Sequence, residues 1–368
     1  MTRHLLTSLA QTLPATIPFV GPEAIERRLH APLRARIGAN ESPFGPAQSV
    51  IVAMQEAASG VWQYCDPEIH DLRTALSRHL RLPTANICVG EGIDALHGLI
   101  ARLVIEPGDV AVTSLGAYPT FAYHVRGFGG DVLTVPYRDD HEDLVALAEA
   151  VRRNHARVVY LANPDHPMGT CWNACQIADF IEELPEDTLL VLDEAYAETA
   201  PRTALPAFDI SRPNVIRTRT FSKAYGLAGM RVGYAVGEAG MISAFDKVRN
   251  HFGVTRMGQI AAIAALADQD WLHHVVAQVI AGKEQIAAAA AEHGLRHIPS
   301  AANFVAIDCG RDGAFALAVL KALESRGVFV RKPLAPGLDR CIRVSVGRPE
   351  ELDIFAEELP RALAAASA

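Results

Sequence analysis

A mostly parallel α/β sheet covered by helices, followed by a smaller α+β domain, is the fold that the sequence predicts. Short apolar runs flanked by Gly, Pro or Asp alternate with segments of helical periodicity, a pattern typical of parallel strands buried on both faces. After about Trp271 the pattern changes to a long Ala-rich helix followed by alternating strands and helices. The chain has 368 residues, of which 50% are hydrophobic, so it is long enough for two such cores.

The predicted elements follow in chain order. Parallel strands are predicted at 110–113, 132–136, 158–162, 189–192 and 232–236, a short strand at 87–89, and helices at 93–104 and 142–153. The second part contains a predicted helix from 271 to about 293, strands near 303–307, 328–331 and 342–346, and helices near 314–325 and 350–364. We therefore predict an N-terminal arm over residues 1–39, a large domain over 40–270 and a small domain over 271–368. The arm would lie on other elements or on a partner subunit.

Composition excludes several classes of protein. There are 34 Lys+Arg and 42 Asp+Glu, a net charge of −8, which argues against a nucleic-acid or anionic-membrane binder because both need a basic face. No apolar stretch approaches the roughly 20 residues of a membrane span, and the N-terminus is a poor signal peptide. The six cysteines form no CxxC pair, and the histidines have no metal-ligand spacing. These observations predict a cytoplasmic protein without a metal site.

One segment, residues 220–234, combines a lysine with groups suited to an anion. Lys223 follows the hydroxyl residue Ser222, and Arg231 stands eight residues beyond the lysine. A lysine that forms a Schiff base must be neutral to attack an aldehyde, and burial beside another cation lowers its pKa towards that state. Ser222 and Arg231 are suited to a phosphate. The alternative is a Gly-rich loop with a solvated lysine.

Two further segments fit the same site. Asp193 ends an apolar strand, and ligands of open α/β sheets bind outside the carboxyl ends of strands. A carboxylate there is able to hold a pyridine nitrogen in its protonated form, although a capping role is the common alternative. Gly90 and Gly92 follow a short strand and precede a helix, whose N-terminus favours an anion. The glycines do not form a dinucleotide-binding site, because Ala95 stands where the GxGxxG motif of such sites has its third glycine.

Taken together, the motifs of this chain resemble those of the fold-type I pyridoxal-phosphate (PLP) aminotransferases, and among them the histidinol-phosphate aminotransferase-like branch. The similarity extends from residue 39 to residue 347, nearly the whole chain, with the motifs in the same order and at similar spacing. The matching motifs are ANESPFGP at 39–46, YCDP at 64–67, AYPT at 117–120, NPDHPMGT at 163–170, DEAY at 193–196, SKAYGLAG at 222–229 with Arg231, and CIRVSVG at 341–347.

This resemblance implies roles for the residues around the cofactor, pyridoxal 5'-phosphate. Lys223 would form the Schiff base with it and then move the substrate proton. Asp193 would pair with the ring nitrogen, Tyr196 would contact the ring hydroxyl, and Tyr118 would stack on the ring. The phosphate group would be bound by Gly92, Ile93, Asp94, Thr220, Ser222 and Arg231.

The resemblance also implies a partner subunit and a substrate site. Tyr64 would reach the phosphate of the neighbouring subunit, so that a homodimer would share its active sites. Arg343 would hold the substrate carboxylate or its equivalent, and a bidentate guanidinium suits that task. Arg331 matches the branch's second substrate-facing arginine, and Asn40 is predicted to contact the substrate.

Three positions depart from the family pattern. His166 stands where an asparagine usually contacts the ring oxygen, and the charge of a histidine varies near neutral pH. Phe19 stands where the branch often has a tyrosine whose hydroxyl serves the substrate phosphate. Met168 replaces the usual threonine of the same loop as His166.

The resulting functional prediction is amino transfer between an amine and a 2-oxo acid such as 2-oxoglutarate, with histidinol phosphate as the leading amine. The loss of the tyrosine at Phe19 favours an alternative, an aminotransferase for aromatic or other amino acids. A decarboxylase or lyase acting on a phosphorylated amino acid is a second alternative. A transcription regulator built on this fold is excluded, because the sequence contains no spare basic helix-turn-helix segment.

Overall fold

The structure, a computed structural model, describes residues 5–15 and 20–368. The first elements of these ranges are helices α1 (Ser8–Thr12) and α2 (Pro22–Leu29) and the short strand β1 (Ala35–Arg36). Strand β1 pairs in parallel with residues 328–329, so the N-terminal segment packs on the C-terminal part of the chain. The limits of the arm and of the two domains remain predictions.

A seven-stranded sheet formed by the described residues is the centre of the fold. Its strands are β2 (Ile87–Gly90), β3 (Val110–Ser114), β4 (Asp131–Val135), β5 (Val158–Ala162), β6 (Leu189–Asp193), β7 (Val215–Thr220) and β8 (Gly233–Val236). They lie in the order β2-β8-β7-β6-β5-β3-β4. Strands β3 to β7 pair in parallel, an arrangement that was predicted for β3, β4, β5 and β6.

The prediction of a parallel strand at 232–236 was wrong. Strand β8 runs antiparallel to both of its neighbours, β7 and β2. The sequence analysis did not identify β7, because the arginines at 217 and 219 interrupt the apolar pattern by which a buried strand is recognised. Because β7 returns to β8 through a loop rather than through a crossover helix, the pair is antiparallel. That loop, residues 221–232, carries Lys223.

Helices cover both faces of this sheet. They are α3 (Gln48–Ala57), α4 (His70–Leu80), α5 (Ile93–Val104), α6 (Pro119–Gly127), α7 (Leu144–Asn154), α8 (Ala174–Glu183), α9 (Ala239–Ala244) and α10 (Arg256–Ala267). Alternate residues of β5 show the two faces: Tyr160 packs in one apolar cluster with Leu96 and Phe121, whereas Leu161 packs in another with Leu147 and Ile177. Successive side chains of a strand point to opposite faces, and so both faces are apolar.

The C-terminal part contains α11 (Gln269–Ala291), β9 (Arg296–His297), β10 (Phe304–Asp308), α12 (Gly313–Ser325), β11 (Val328–Phe329), β12 (Cys341–Ser345) and α13 (Pro349–Ser367). Strands β12, β10 and β9 form an antiparallel sheet, and β11 is the partner of β1. The predicted fold class, a mostly parallel α/β part followed by an α+β part, is confirmed. Across residues 5–15 and 20–368, no helix is long and apolar enough to cross a membrane.

Candidate active site

A cavity of about 540 Å³ lies at the carboxyl ends of β5 and β6, where the loop after β7 meets residues 331–335 and β12. This is the edge of an open α/β sheet at which ligands bind. Most of the predicted site residues line it: Asn40, Ile93, Asp94, Tyr118, His166, Asp193, Tyr196, Thr220, Ser222, Lys223, Arg231, Arg331 and Arg343. The first and last of these residues, Asn40 and Arg343, are 303 positions apart in the chain, and the fold brings them to one cavity.

Lys223 is an amine held in a buried position. Its Nζ donates a hydrogen bond to the backbone oxygen of Asn40 at 3.2 Å and lies 5.6 Å from the centre of the Tyr196 ring. Burial, and after it the positive charge of Arg343, lowers the pKa of Lys223 to about 8. An appreciable fraction of this amine is therefore neutral near neutral pH, as a nucleophile towards an aldehyde must be.

Asp193 is the last residue of β6, and both of its carboxylate oxygens are fixed. Oδ1 accepts a hydrogen bond from the backbone nitrogen of Ala195 at 2.9 Å, and Oδ2 accepts one from the hydroxyl of Tyr160 at 2.7 Å. Burial raises the pKa of Asp193 to about 6. The sequence analysis missed Tyr160, which it treated only as part of an apolar strand.

Tyr196 and Asn40 form a hydrogen-bonded pair on the cavity wall. The Nδ2 of Asn40 donates to the hydroxyl oxygen of Tyr196 at 3.0 Å, and the Oδ1 of Asn40 accepts from Ser345 Oγ at 2.7 Å. Burial raises the pKa of Tyr196, so its hydroxyl stays protonated and is free to donate into the cavity.

The start of α5 and the loop around Lys223 form a second wall with the character of an anion site. Gly92 has φ of +82°, and a Cβ built there would lie 2.5 Å from Nη2 of Arg231. The hydroxyls of Thr220 and Ser222 are 2.8 Å apart. In the described ranges, no carboxylate lies within 4.0 Å of the Arg231 guanidinium. A helix N-terminus, two hydroxyls and a guanidinium without a carboxylate partner favour a phosphate group.

Two further arginines face the cavity from the C-terminal part of the chain. Arg343 on β12 is buried, and its main chain exchanges two hydrogen bonds with that of Arg331. Burial lowers the pKa of Arg343 to about 10. As with Arg231, no described carboxylate lies within 4.0 Å of either guanidinium. A buried cation such as Arg343 is costly without a counterion, and the partly buried Arg331 lies beside it, so this arrangement favours an anionic ligand.

His166 lies beside Arg343. Its Nε2 contacts Nη1 of Arg343, and its ring meets the edges of Tyr118 and Phe304 at centroid distances of 5.1 and 5.9 Å. Burial, and next Arg343, lowers the pKa of His166 well below its usual range. The imidazole is therefore neutral, and its Nε2 accepts a hydrogen bond from the guanidinium.

Among the described residues, two of the predicted ones, Gly92 and Tyr64, do not line the cavity of this chain, and Gly92 directly precedes the lining residue Ile93. The side chain of Tyr64 is 82% exposed, and its ring packs against Phe252 at a centroid distance of 5.1 Å. Phe19 lies outside the described residues.

Comparison with known proteins agrees with this geometry. Residues 36–359 match the family described as aminotransferase class I and II. The chain is 36% identical to a histidinol-phosphate aminotransferase of Roseiflexus castenholzii, over 98% of each chain. It is also 36% identical to histidinol-phosphate aminotransferase 2 of Ralstonia nicotianae, over 94% of this chain and 93% of that protein.

Solved structures show the same similarity. The histidinol-phosphate aminotransferase from Sinorhizobium meliloti, crystallised in complex with pyridoxal-5'-phosphate, is 55% identical, with a TM-score of 0.96 over 98% of both chains. The aspartate aminotransferase from Thermus thermophilus with maleate is 22% identical, with a TM-score of 0.80 over 98% of this chain and all of that one, and shares the fold. The family match over nearly the whole chain, together with these identities, establishes that the protein belongs to the class I and II aminotransferases.

Proposed function

We propose that this chain is a PLP-dependent aminotransferase that takes the amino group of histidinol phosphate and passes it to a 2-oxo acid such as 2-oxoglutarate. The observation that carries the proposal is the pair Arg331 and Arg343, which face the cavity of Lys223 without a carboxylate partner among the described residues. A substrate with a phosphate group supplies the missing negative charge. The relatives named as histidinol-phosphate aminotransferases support the same substrate.

The residues of the cavity fit the cofactor. The N-terminus of α5 at Gly92, the hydroxyls of Thr220 and Ser222, and Arg231 are suited to its phosphate, while Asp193 is suited to its ring nitrogen. When bound, PLP supplies an aldehyde that forms a Schiff base with an amine and a ring that withdraws electrons from the adjacent carbon.

Each side chain of the site then has a distinct task. Lys223, as a neutral amine, removes the proton from the substrate carbon and carries it at Nζ until it is returned. Tyr196, held by Asn40, donates its hydroxyl proton towards the ring oxygen. His166 lies between the ring of Tyr118 and Arg343, so it links the cofactor side of the cavity to the substrate side. Arg343 and Arg331 bind the anionic groups of the substrate and thereby orient it.

We also propose a homodimer with shared sites. Tyr64 does not line the cavity of its own chain; its exposed ring packs against the exposed Phe252 and follows the exposed Val61 and Trp62 in the sequence. Exposed apolar side chains gathered in this way are typical of a protein interface. A second copy of this chain is the proposed partner, with Tyr64 reaching its phosphate site. The cytoplasmic location stays a prediction from composition.

The absorption spectrum of the PLP-loaded protein tests the function. Adding L-histidinol phosphate without a 2-oxo acid should convert the band of the lysine-bound cofactor into that of pyridoxamine phosphate. If the band does not change with histidinol phosphate but changes with aromatic amino acids, the protein is still an aminotransferase, with an aromatic amino acid as its substrate. Release of carbon dioxide from a phosphorylated amino acid would indicate a decarboxylase. Absence of any lysine-bound band would contradict the role of Lys223.

The role of Arg331 is tested separately. Arg331→Gln should raise the KM for histidinol phosphate by at least about tenfold, because a charge-assisted hydrogen bond contributes about 1.5–3 kcal/mol. The matched control is Arg326→Gln, which removes an arginine that pairs with Glu358 and does not line the cavity. An unchanged KM in Arg331→Gln would mean that Arg331 does not bind the substrate.

A further inference from the structure

A buried histidine to which the proposed chemistry gives no task lies behind Asp193. His97 on α5 is completely buried, with its Nε2 3.5 Å from Thr218 Oγ1 and 3.9 Å from Oδ2 of Asp193. Its Nδ1 has no hydrogen-bond partner in the part of the chain that the structure describes. Since buried polar atoms are nearly always paired, a histidine placed here requires an explanation.

The surroundings of His97 determine its protonation. An unpaired nitrogen is tolerated better as a bare lone pair than as an N–H, because a buried donor without an acceptor loses its full hydration. The tautomer with the proton on Nε2, the nitrogen facing Asp193 and Thr218, is therefore favoured. Burial, and after it the neighbouring His124, lowers the pKa of His97 to about 3. The residue is thus a neutral donor.

Aromatic packing fixes His97 and Tyr160 relative to each other. The ring of Tyr160 stacks on Phe121 with a centroid distance of 5.1 Å and an interplanar angle of 16°. The ring of His97 meets Tyr160 edge-on at 5.3 Å and Phe121 edge-on at 5.8 Å. These contacts hold the Tyr160 hydroxyl at 2.7 Å from Asp193 Oδ2, on the same oxygen that His97 approaches.

We propose that His97 and Tyr160 are positioning residues that keep Asp193 ionised and oriented towards the ring nitrogen of the cofactor. Tyr160 acts through its hydrogen bond, and His97 acts through the dipole of an Nε2–H that lies 3.9 Å from the same carboxylate oxygen. The inference rests on the proposed function. An arginine or lysine in their place would also favour the ionised carboxylate. Its positive charge would, however, offset the negative charge of Asp193 and weaken the electrostatic stabilisation of the protonated ring nitrogen. Neutral donors stabilise the carboxylate and leave its full negative charge to the cofactor.

Other ionisable groups also act on Asp193 from the elements around it. They are Lys223 from the loop after β7, Asp94 from α5, Tyr118 at the start of α6, Tyr196 from the segment after β6 and Glu142 from the segment before α7. Burial is the dominant effect and raises the pKa of Asp193 to about 6, while the Tyr160 hydrogen bond opposes it. Removal of the Tyr160 hydroxyl therefore raises this pKa further, by about one unit for a hydrogen bond to a charged group.

The test reads the cofactor directly and does not depend on turnover. Protein loaded with PLP labelled with ¹⁵N in the ring should show the nitrogen signal of a protonated pyridine. In Tyr160→Phe the proton shared with Asp193 shifts towards the carboxylate, so the signal should move towards that of neutral pyridine. The pH at which PLP affinity begins to fall on acidification should move up by about one unit. His97→Leu should change both readouts in the same direction by less.

Two variants separate positioning from packing. His97→Gln, whose side-chain amide supplies a donor near the same place, should restore the wild-type nitrogen signal. Leu161→Val alters the core packing on the opposite face of β5 and removes no donor, and it should leave the signal unchanged. A wild-type signal and pH midpoint in Tyr160→Phe would overturn the inference while leaving the proposed function intact. If the wild-type protein held no lysine-bound cofactor, the proposed function would fail instead.

Discussion

Lys223 and Arg343 are two cations on one cavity, and their mutual repulsion has a measurable consequence. Burial and the charge of Arg343 lower the pKa of Lys223 to about 8, so its neutral fraction grows as pH rises through that value. Arg343→Leu removes the second effect, and the pKa of Lys223 rises towards 10.5. The rate at which cofactor-free protein reacts with PLP at pH 7, followed by absorbance, should fall several-fold, with a midpoint above pH 8. Arg343→Lys keeps the charge and should keep the midpoint; an unchanged midpoint in Arg343→Leu would assign the shift to burial alone.

Residues that contact a ligand were easier to predict than the residues that support them. Lys223, Asp193 and Arg231 stand in motifs whose residue types follow from the chemistry, and the structure brings them to one cavity. Tyr160 and His97 were missed, because a tyrosine in an apolar strand and a histidine at a helical core position look like packing. Only the meeting of β5, β6 and α5 in space shows that both lie at one carboxylate.

At the scale of elements, the start of α5 forms part of the proposed phosphate site. Gly92→Ala places a Cβ 2.5 Å from Nη2 of Arg231 and forces an L-residue to adopt φ of +82°. We expect PLP affinity, measured by fluorescence titration, to fall at least about tenfold, since Arg231 must move. Gly108→Ala is the matched control: its φ is +93°, with no atom within 4 Å of the added Cβ. Equal losses of affinity in both variants would mean that backbone strain, and not Arg231, causes the effect.

Strand β7 illustrates why some elements escape prediction. Its arginines form ion pairs with Glu194, which directly follows β6 and lies 2.6 Å from Arg217 and 2.9 Å from Arg219. Apolar periodicity cannot reveal a strand whose buried charges are paired with another element. The parallel strands 110–113, 158–162 and 189–192 carry no such pairs, and they were predicted to within a residue or two.

The same cluster yields a stability prediction. Glu194→Gln leaves Arg217 and Arg219 buried without a carboxylate and should lower the free energy of unfolding by about 3 kcal/mol, measured by urea denaturation of cofactor-free protein. Glu182→Gln removes the mostly exposed partner of Arg212 and should cost less than about 0.5 kcal/mol. A small effect of Glu194→Gln would mean that water or rearrangement compensates the two guanidinium groups.

At the scale of the whole molecule, the role proposed for Tyr64 requires a second copy of the chain. The resemblance to the family suggested a shared site, and in this chain the exposed Tyr64 lies outside its own cavity. No pattern within a single sequence identifies which exposed apolar residues will face a second copy. Phe252 became a candidate because the fold brings its exposed ring against Tyr64, 188 positions away in the chain, and periodicity cannot show such a contact.

Hybrid dimers test the sharing of sites. Lys223→Ala should be inactive, and Tyr64→Phe should bind PLP weakly because one donor to the phosphate is lost. When the two variants are mixed, dissociated and reassociated, each hybrid contains one complete site, made of Lys223 from one subunit and Tyr64 from the other. Random pairing of equal amounts makes half of the dimers hybrids, so activity at limiting PLP should reach about a quarter of the wild-type value. Activity no greater than the average of the two parents would show that Tyr64 does not serve the neighbouring subunit.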